Sequence, residues 1–229
     1  MATLYIIATP IGNLGDMTFR AVETLKIVDL VACEDTRRTL KLLTHFGIRV
    51  RLLSCRAGNE AGASRKVIAA LDERKTVAYC SDAGTPALSD PGAILARSAS
   101  AAGHAVVPLP GASAFASLVS VAGCADKSVV FEGFLSPKDG RRKSRLKELL
   151  ETGAAFVLYE SPFRICKLLA NIVELEQGRY VCVGREMTKV HEEYLRGSAS
   201  EISAVLRERA ESRGEFSIFV SGHNANSAN

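Results

Sequence analysis

Short apolar runs alternate along the first half of the chain with amphipathic stretches of helical length. In order, these segments read LYIIAT, TFRAVETLKIV, LVAC, TRRTLKLLTHF, VRLLS, EAGASRKVIAALDER, TVAYC, PGAILARSASAAG and AVVPLP. Strand–helix–strand alternation is typical of a mainly parallel sheet that is covered by helices. The pattern therefore predicts an α/β domain over residues 1–120.

The pattern restarts after a small-residue helix, ASAFASLVSVAG, which Gly123 closes. Two of the later runs, YVCVGRE and EEYLRG, follow each other with no helix between them, which predicts an antiparallel pair within a mixed sheet. We expect a second α/β domain over residues 121–222, an interdomain cleft, and a frayed polar tail at 223–229. Such clefts, and the carboxyl ends of parallel strands, are where α/β proteins usually bind ligands.

The composition limits the class of protein. The 229 residues are 47% hydrophobic and 24% charged, enough for one large core or two modest ones, and the net charge of +4 is too small to indicate a polyanionic partner without local clustering. The six cysteines form no CxxC pair, and Cys33, Cys80 and Cys182 sit in strand-like runs, which favours a reducing cytosol. HEEYL lacks the second histidine of a metalloprotease helix, so we expect no metal. MATLYIIATPIGN resembles neither a signal peptide nor a membrane span, which predicts a cytoplasmic protein.

Three loops that follow predicted strands of the first domain combine glycine and proline with small hydroxyl residues: TPIGNLGDMT, SDAGTPALSDPG and PGASA. This composition lets backbone groups approach a ligand closely. Alternatively, each loop is only a tight connection, in which Asp90 or Ser89 before Pro91, and Ser113 after Gly111, cap helices. GxxxxGK[ST], GxGxxG and GxSxG are absent, so neither a nucleoside triphosphate nor acyl transfer is supported. The residues by themselves indicate a two-domain α/β protein with a small-molecule site.

Six ordered motifs extend this interpretation: TPIGNLGDMTFRAVETLKIVDLVACEDTRRTLKLLTHFGI, SDAGTPALSDPG, PLPGASA, EGFLSPK, LYESPFR and VGREMTKVHEEYLRG. Together, from residue 3 to about residue 222, they resemble the ribosomal RNA small subunit methyltransferase I family, a branch of the tetrapyrrole methylase superfamily. The resemblance implies an S-adenosylmethionine-dependent enzyme that methylates a ribose 2′-hydroxyl of a cytidine in the decoding region of 16S ribosomal RNA. It also implies a homodimer with the cofactor in the interdomain cleft.

The resemblance assigns cofactor contacts to loops of both predicted domains. They are Pro10, Asp82, Gly84, Thr85, Pro86, Gly111, Ser113, Ala114, Tyr159, Glu160, Arg185 and Thr188. Because a sulfonium carries its charge near carbon atoms, backbone carbonyls and shape can bind it without a dedicated carboxylate.

The reaction implied is an in-line displacement, in which the ribose oxygen attacks the methyl carbon. A ribose hydroxyl is a poor nucleophile at neutral pH, so a nearby base or cation would help. The resemblance places Lys189, Asp35 and Glu186 as catalytic candidates, with Lys189 and Asp35 near the acceptor. The alternatives are that Asp35 caps a helix and that Lys189 is a solvated loop lysine. His191 ranks lower, since a lone histidine is more often a packed or surface residue.

Two basic clusters suit contacts with RNA phosphates. SPKDGRRKSRLK, at residues 136–147, holds six basic residues against one acid, and TRRTLK adds a second group. The RNA-contacting candidates are Arg37, Arg38, Lys138, Arg141, Arg142 and Lys143. The competing interpretation is a solvated helix face, which we prefer for TRRTLK taken alone.

Two departures from the family pattern keep other functions open. The chain reads CRAGNE where relatives commonly have a His-rich HEHNE, although Asn59 and Glu60 remain, and it has Phe163 where ESPHR is usual. The runner-up function is methylation of a tetrapyrrole carbon, although TPIGNLGDMT departs from the first loop of those enzymes. A third possibility is a non-catalytic RNA-binding assembly factor.

Overall fold

The computed structural model describes residues 2–124, 126–209 and 213–224. The chain divides into two compact units, Met1–Ser113 and Ala114–Asn229. The helix that the sequence analysis placed at the end of the first domain therefore belongs to the second unit. No helix in the described ranges combines the length and the apolar character that crossing a membrane requires.

The first unit is built around a five-stranded sheet in which every pairing is parallel. Its elements in chain order are β1 (Thr3–Ile7), a one-turn 3-10 helix (Leu14–Asp16), α1 (Phe19–Ile27), β2 (Leu30–Cys33), α2 (Thr36–His45), β3 (Arg51–Ser54), α3 (Glu60–Asp72), β4 (Val77–Cys80), α4 (Ala93–Ala101) and β5 (Ala105–Leu109). The strand order is β3-β2-β4-β1-β5.

Helices cover both faces of this sheet, and β4 shows why its sequence is apolar at every position. Val77 and Tyr79 pack into a cluster with residues of α3 and α4, whereas Ala78 and Cys80 pack into another with residues of α1 and α2. Successive side chains of a strand point to opposite faces, so a strand buried on both sides needs a continuous apolar run. All four side chains of β4 are fully buried.

The second unit holds a mixed five-stranded sheet in the order β6-β7-β10-β8-β9. Its elements are α5 (Ala114–Val121), β6 (Val129–Phe134), α6 (Asp139–Glu151), β7 (Ala155–Glu160), α7 (Ile165–Glu176), β8 (Arg179–Arg185), β9 (Glu193–Ser198), α8 (Ala199–Arg207) and β10 (Phe216–Asn224). Among the described residues, β6 and β7 are the one parallel pair of this sheet, whereas β10 is antiparallel to β7 and β8. The predicted antiparallel pair, YVCVGRE with EEYLRG, is confirmed as β8 and β9.

These sheets confirm the predicted fold class, a mainly parallel N-terminal sheet followed by a mixed C-terminal sheet. Cys33, Cys80 and Cys182 are buried in β2, β4 and β8, as predicted. The predicted tail is shorter than expected, because β10 runs to Asn224. The remainder of that tail, residues 225–229, lies outside the described residues.

Candidate functional site

The first and second predicted ligand loops are joined at the carboxyl edge of the parallel sheet. β1 lies between β4 and β5, so the loops that follow these three strands start side by side. Thr9, after β1, and Gly84, after β4, exchange two backbone hydrogen bonds, with N–O distances of 2.9 and 2.8 Å. The Thr9 hydroxyl also donates to the carbonyl of Ser81 at 3.2 Å. The loops thus form one connected structure.

The third loop joins the same structure. The Thr85 hydroxyl donates to the Ala112 carbonyl at 3.3 Å, and a Cβ atom at Gly111 would lie 3.1 Å from the Cβ of Ala8. Gly84 has a φ of +75°, which residues with a side chain rarely adopt. The structure therefore brings together the predicted residues Pro10, Asp82, Gly84, Thr85, Pro86 and Gly111. Pro86 is buried, and Ser113, also predicted, is the last residue of the first unit.

The loop after β4 does not end in the way that the simple connection considered above predicts. Neither Ser89 nor Asp90 caps α4; the N-cap is Gly92, and no side-chain cap bond comes from it. Instead Oε1 of Glu60, on α3, accepts backbone N–H bonds from Gly92, Ile94 and Leu95 at 3.0, 2.9 and 3.2 Å. Glu60 is buried, so this carboxylate closes the start of α4 from a neighbouring helix.

Asp82 connects this loop to the start of α2. Its Oδ1 accepts the backbone N–H of Asp35 at 2.9 Å, and its Oδ2 lies 3.4 Å from Nη1 of Arg38. A predicted cofactor residue and a predicted RNA-contacting residue are therefore in contact. Sequence reasoning named both residues but had no signal for their pairing.

Asp35 is the N-cap of α2, as the alternative interpretation predicted. Its Oδ1 accepts the backbone N–H of Arg37 at 2.8 Å, and its carboxylate pairs with the Arg37 guanidinium at 2.8 and 3.1 Å. The Arg37 side chain and then its backbone N–H hold the pKa of Asp35 well below its usual range. A carboxylate so strongly held as an anion is a weak proton acceptor, which favours the capping role over general-base catalysis.

Two other carboxyl groups near Asp82 behave in the opposite way. Burial, followed by the negative charges of Glu34 and Asp82, raises the pKa of Asp90 to about 6. Burial and then Asp82 raise the pKa of Glu34, whose Oε2 is buried with no hydrogen-bond partner among the described residues. Asp90 was foreseen only as a helix cap. Within the described residues, no group of three or more His, Cys, Asp or Glu side chains is arranged to hold a metal.

In the second unit, predicted cofactor residues end two strands at the same sheet edge. Glu160 of β7 and Arg185 of β8 both lie opposite Phe216 of β10, one on each side. The Glu160 carboxylate is buried and accepts from the Ser161 backbone N–H at 2.8 Å and from Arg164 at 2.7 Å. Arg185 donates through Nε to the Arg213 carbonyl at 2.7 Å. Both side chains are thereby fixed by contacts within their own unit.

Aromatic rings surround Tyr159, the neighbour of Glu160. Its ring packs edge-to-face on Phe131 and Phe134, with centroid separations of 5.1 and 5.7 Å. Phe131 also contacts Phe115 of α5, the helix that the predicted residue Ala114 begins. The end of β7 is therefore held by an apolar group of rings.

The loop after β8 is held in an unusual backbone conformation. Glu186 and Thr188 have φ values of 48° and 66°, in the left-handed region that favours glycine. Thr188 donates its backbone N–H to Glu192 at 2.8 Å, but its hydroxyl oxygen is buried without a hydrogen-bond partner among the described residues. Strained residues and an unpaired buried hydroxyl are features that occur at ligand sites.

Lys189 is held between two carboxylates. Its Nζ lies 2.8 Å from Glu186 and 3.0 Å from Glu215. Burial opposes the charged form of Lys189, but the hydrogen bonds that Lys189 donates to Glu186 and Glu215 outweigh this effect and raise the lysine pKa. Burial likewise opposes ionisation of Glu186. The hydrogen bonds that the Glu186 carboxylate accepts from Lys189 and from the Glu215 backbone N–H outweigh this effect of burial and lower the pKa of Glu186. Lys189 is therefore a fixed cation at neutral pH, not the solvated lysine of the alternative interpretation.

The predicted RNA cluster on α6 is largely neutralised. Arg142 is buried, and its guanidinium donates to Asn171 and Asp139, both at 2.6 Å, and to the Pro137 carbonyl at 3.2 Å. Because it packs inward, we remove Arg142 from the RNA-contacting set. Lys143 pairs with Glu174 at 2.8 Å.

The two remaining predicted residues of this cluster are placed differently. Lys138 and Arg141 are exposed and form no ion pair within the described residues. Of the four predicted RNA-contacting residues at α6, Lys138 and Arg141 are therefore the two whose charge no carboxylate among the described residues compensates.

Comparison with known proteins identifies the family. The family model described as Tetrapyrrole (Corrin/Porphyrin) Methylases matches residues 3–203. Proteins named ribosomal RNA small subunit methyltransferase I from Borrelia garinii subsp. bavariensis and Halalkalibacterium halodurans are 46% and 44% identical to the chain, over 95% and 96% of its length. The chain belongs to this methyltransferase family. It covers 98% and 76% of the length of these two relatives, and the predicted resemblance is confirmed.

Solved structures share the fold of the chain. The methyltransferase CobJ superposes with a TM-score of 0.69 at 17% identity, and the alignment covers 98% of this chain and 95% of that one. Uroporphyrin-III-C-methyltransferase from Thermus thermophilus superposes with a TM-score of 0.65 at 15% identity, covering 97% and 95% of the two chains. The expected tetrapyrrole methylase architecture is thereby confirmed.

Proposed function

We propose that this protein transfers a methyl group from S-adenosylmethionine to the ribose 2′-oxygen of a cytidine in the decoding region of 16S ribosomal RNA. The observation that carries the proposal is near full-length identity of 40–46% to relatives named ribosomal RNA small subunit methyltransferase I. The three connected loops of the first unit support it as well, because they place backbone groups and small side chains at the carboxyl edge of a parallel sheet.

The residues of the chain fit the cofactor. Gly84 and Gly111 allow close approach of a ligand to the backbone, and the buried hydroxyl of Thr188 has a free hydrogen-bonding capacity among the described residues. Pro10, Asp82, Gly84, Thr85, Pro86, Gly111 and Ser113 would hold the cofactor in the first unit, and Ala114, Tyr159, Glu160, Arg185 and Thr188 in the second. When bound, S-adenosylmethionine supplies an electrophilic methyl group on a sulfonium. The chain has to align the acceptor oxygen and exclude water.

We assign Lys189 an electrostatic role. Its raised pKa keeps it protonated, so it cannot take the proton of the ribose hydroxyl at neutral pH. A fixed cation instead stabilises the alkoxide that forms when the ribose hydroxyl releases its proton to solvent water, and this alkoxide oxygen then attacks the methyl carbon. Glu186 would act by holding Lys189 in place, since its carboxylate accepts from both the lysine and the backbone N–H of Glu215, the residue before β10.

The test is methyl transfer from labelled S-adenosylmethionine to small ribosomal subunits isolated from a strain lacking this gene, followed by nucleoside mass spectrometry. We expect a new 2′-O-methylcytidine. Lys189→Ala should reduce transfer by at least a hundredfold, the order of magnitude for loss of one electrostatic contact to the reacting atoms. Asp82→Ala should also greatly reduce transfer, because it removes a residue assigned to the cofactor that also fixes the start of α2. Lys147→Ala is the matched control, because Lys147 is exposed and its one ion pair among the described residues is with Glu151, at 3.8 Å.

Three outcomes would contradict parts of this proposal. Full activity of both site variants would refute the site. Cofactor binding without incorporation would indicate another acceptor, and a porphyrinogen would be tried next. Absence of cofactor binding in calorimetry would favour the non-catalytic assembly factor.

The proposal includes a cytoplasmic homodimer. Phe19 and Ile27, at the two ends of α1, are 93% and 73% exposed, and the proposal assigns them to the surface that a second copy would cover. Light scattering should give twice the mass of the chain, and Phe19→Ser should shift it towards the monomer. A monomeric wild-type protein at micromolar concentration would refute the dimer.

A further inference from the structure

A small cavity opens in the first unit beside the connected loops. It has a volume of about 220 Å³ and lies between the loop after β1, one face of α2 and the first residues after β4. Thr9, Pro10, Ser81 and Asp82 are among the residues that line it. Cavities that enclose a whole drug-sized ligand are typically about 300–1,000 Å³, so this one suits a fragment of a larger molecule.

Two cations stand on the α2 side of this cavity. Arg38 and Lys41 are three residues apart, which puts them on the same face of the helix. Lys41 is exposed and forms no ion pair within the described residues, and the Arg38 side chain is 67% exposed. Against them the cavity holds one anion, Asp82. Among the residues that line the cavity, two positive charges therefore face one negative charge.

The contact between Arg38 and Asp82 does not use up that charge. Its distance of 3.4 Å exceeds the roughly 2.7–2.9 Å of a strong charge-assisted hydrogen bond, whereas the Asp82 Oδ1 is fixed by the backbone of Asp35. Arg38 can therefore turn to an incoming anion at little cost, while Asp82 stays in place.

The rest of the lining suits a sugar. Pro10, Leu14 and Leu42 provide apolar surface, and Thr9, Thr39 and Ser81 are further lining residues that carry hydroxyl groups. Two cations beside a small, partly apolar cavity suit a polymer that inserts one sugar into the cavity. Such a polymer would carry a negatively charged group on each side of that sugar. A single free anion would not need both the two cations and the apolar wall.

We propose that this cavity takes the acceptor ribose of the RNA, with Arg38 and Lys41 each contacting a phosphate beside it. The inference rests on the proposed function and adds to it the subsite for the acceptor. It explains why Pro10 and Asp82, assigned to the cofactor, also line this cavity: the acceptor must lie next to the methyl donor.

The experiment compares Arg38→Gln and Lys41→Gln with two controls of identical chemistry, Arg51→Gln and Lys75→Gln. Arg51 begins β3 and Lys75 precedes β4, so both controls lie at the amino edge of the sheet, opposite the cavity, and both are exposed. Binding of a short fluorescein-labelled single-stranded RNA is measured over a range of salt concentrations, and S-adenosylmethionine binding is measured by calorimetry.

Each cavity variant should weaken RNA binding about three- to tenfold and reduce the slope of log K against log salt by about 0.7, the value for one phosphate contact to a single strand. Cofactor affinity should stay within about twofold of wild type. In methyl transfer to small subunits, KM should rise with kcat retained. Both controls should match the wild type.

Each alternative result identifies what has failed. RNA binding equal to that of the controls would overturn the inference. An equal loss of cofactor affinity would mean that the cavity belongs to the cofactor. If the wild-type protein binds RNA through Arg38 and Lys41 but transfers no methyl group, the RNA subsite stands and the proposed function fails.

Discussion

Glu60 offers the sharpest test of how the chain shapes its loop after β4. One oxygen of this buried carboxylate accepts three backbone N–H groups at the start of α4, at 2.9–3.2 Å. Gly92, the N-cap, has no side chain to offer in its place. Removing the carboxylate leaves these donors without a partner and removes a negative charge from the positive end of a helix.

The size of the effect follows from these contacts. Hydrogen bonds to charged groups are worth about 1.5–3 kcal/mol, but three bonds that share one oxygen are not additive, so Glu60→Ala should lower the free energy of unfolding by about 3–4 kcal/mol. Glu60→Gln keeps an accepting oxygen and loses the charge, which costs about 1–2 kcal/mol.

The assay is urea unfolding followed by circular dichroism. The matched control is Glu73→Ala, because Glu73 lies at the other end of the same helix, is exposed, and pairs only with Lys75 among the described residues. That control should change the free energy of unfolding by less than about 0.5 kcal/mol. If Glu60→Ala costs no more than Glu73→Ala, the capping argument is wrong.

Two further predictions concern charged groups whose environment the fold determines. The raised pKa of Asp90, about 6, means that the stability it contributes is present in full below about pH 4 and is lost as the pH rises through 6. Asp90→Asn should therefore raise the free energy of unfolding by about 1–2 kcal/mol at pH 8, a figure that allows for the partial exposure of Asp90. At pH 4 the substitution should leave the free energy of unfolding unchanged. Urea titrations that give the same effect at both pH values would contradict this prediction. Arg142→Met should cost about 1–3 kcal/mol in the same assay, since the buried Oδ1 of Asn171 loses its donor while Asn171 keeps its bond to Asp139. Arg141→Gln should leave stability unchanged and reduce the salt dependence of RNA binding. Equal stability of these two arginine variants would refute the burial of Arg142.

Much of the fold was predictable because strand and helix periodicities are local. The four-residue run VAYC, buried on both faces, had to be an inner strand, and the close succession of YVCVGRE and EEYLRG required an antiparallel pair. The N-cap role of Asp35 also follows from its position just before a helix. The family could be recognised for a related reason, since its motifs are contiguous segments of chain.

The arrangement of the site depended on contacts that no local pattern contains. Glu60 reaches α4 across more than thirty intervening positions, and Asp82 meets Asp35 and Arg38 only because β4 pairs with β2 in the sheet. A helix of mixed charge likewise does not reveal which side chain turns inward, and in α6 that side chain is Arg142. The sequence by itself determined the elements and the family. The tertiary structure decided which charges meet and which are buried, because strand order and helix packing bring together residues that are distant along the chain.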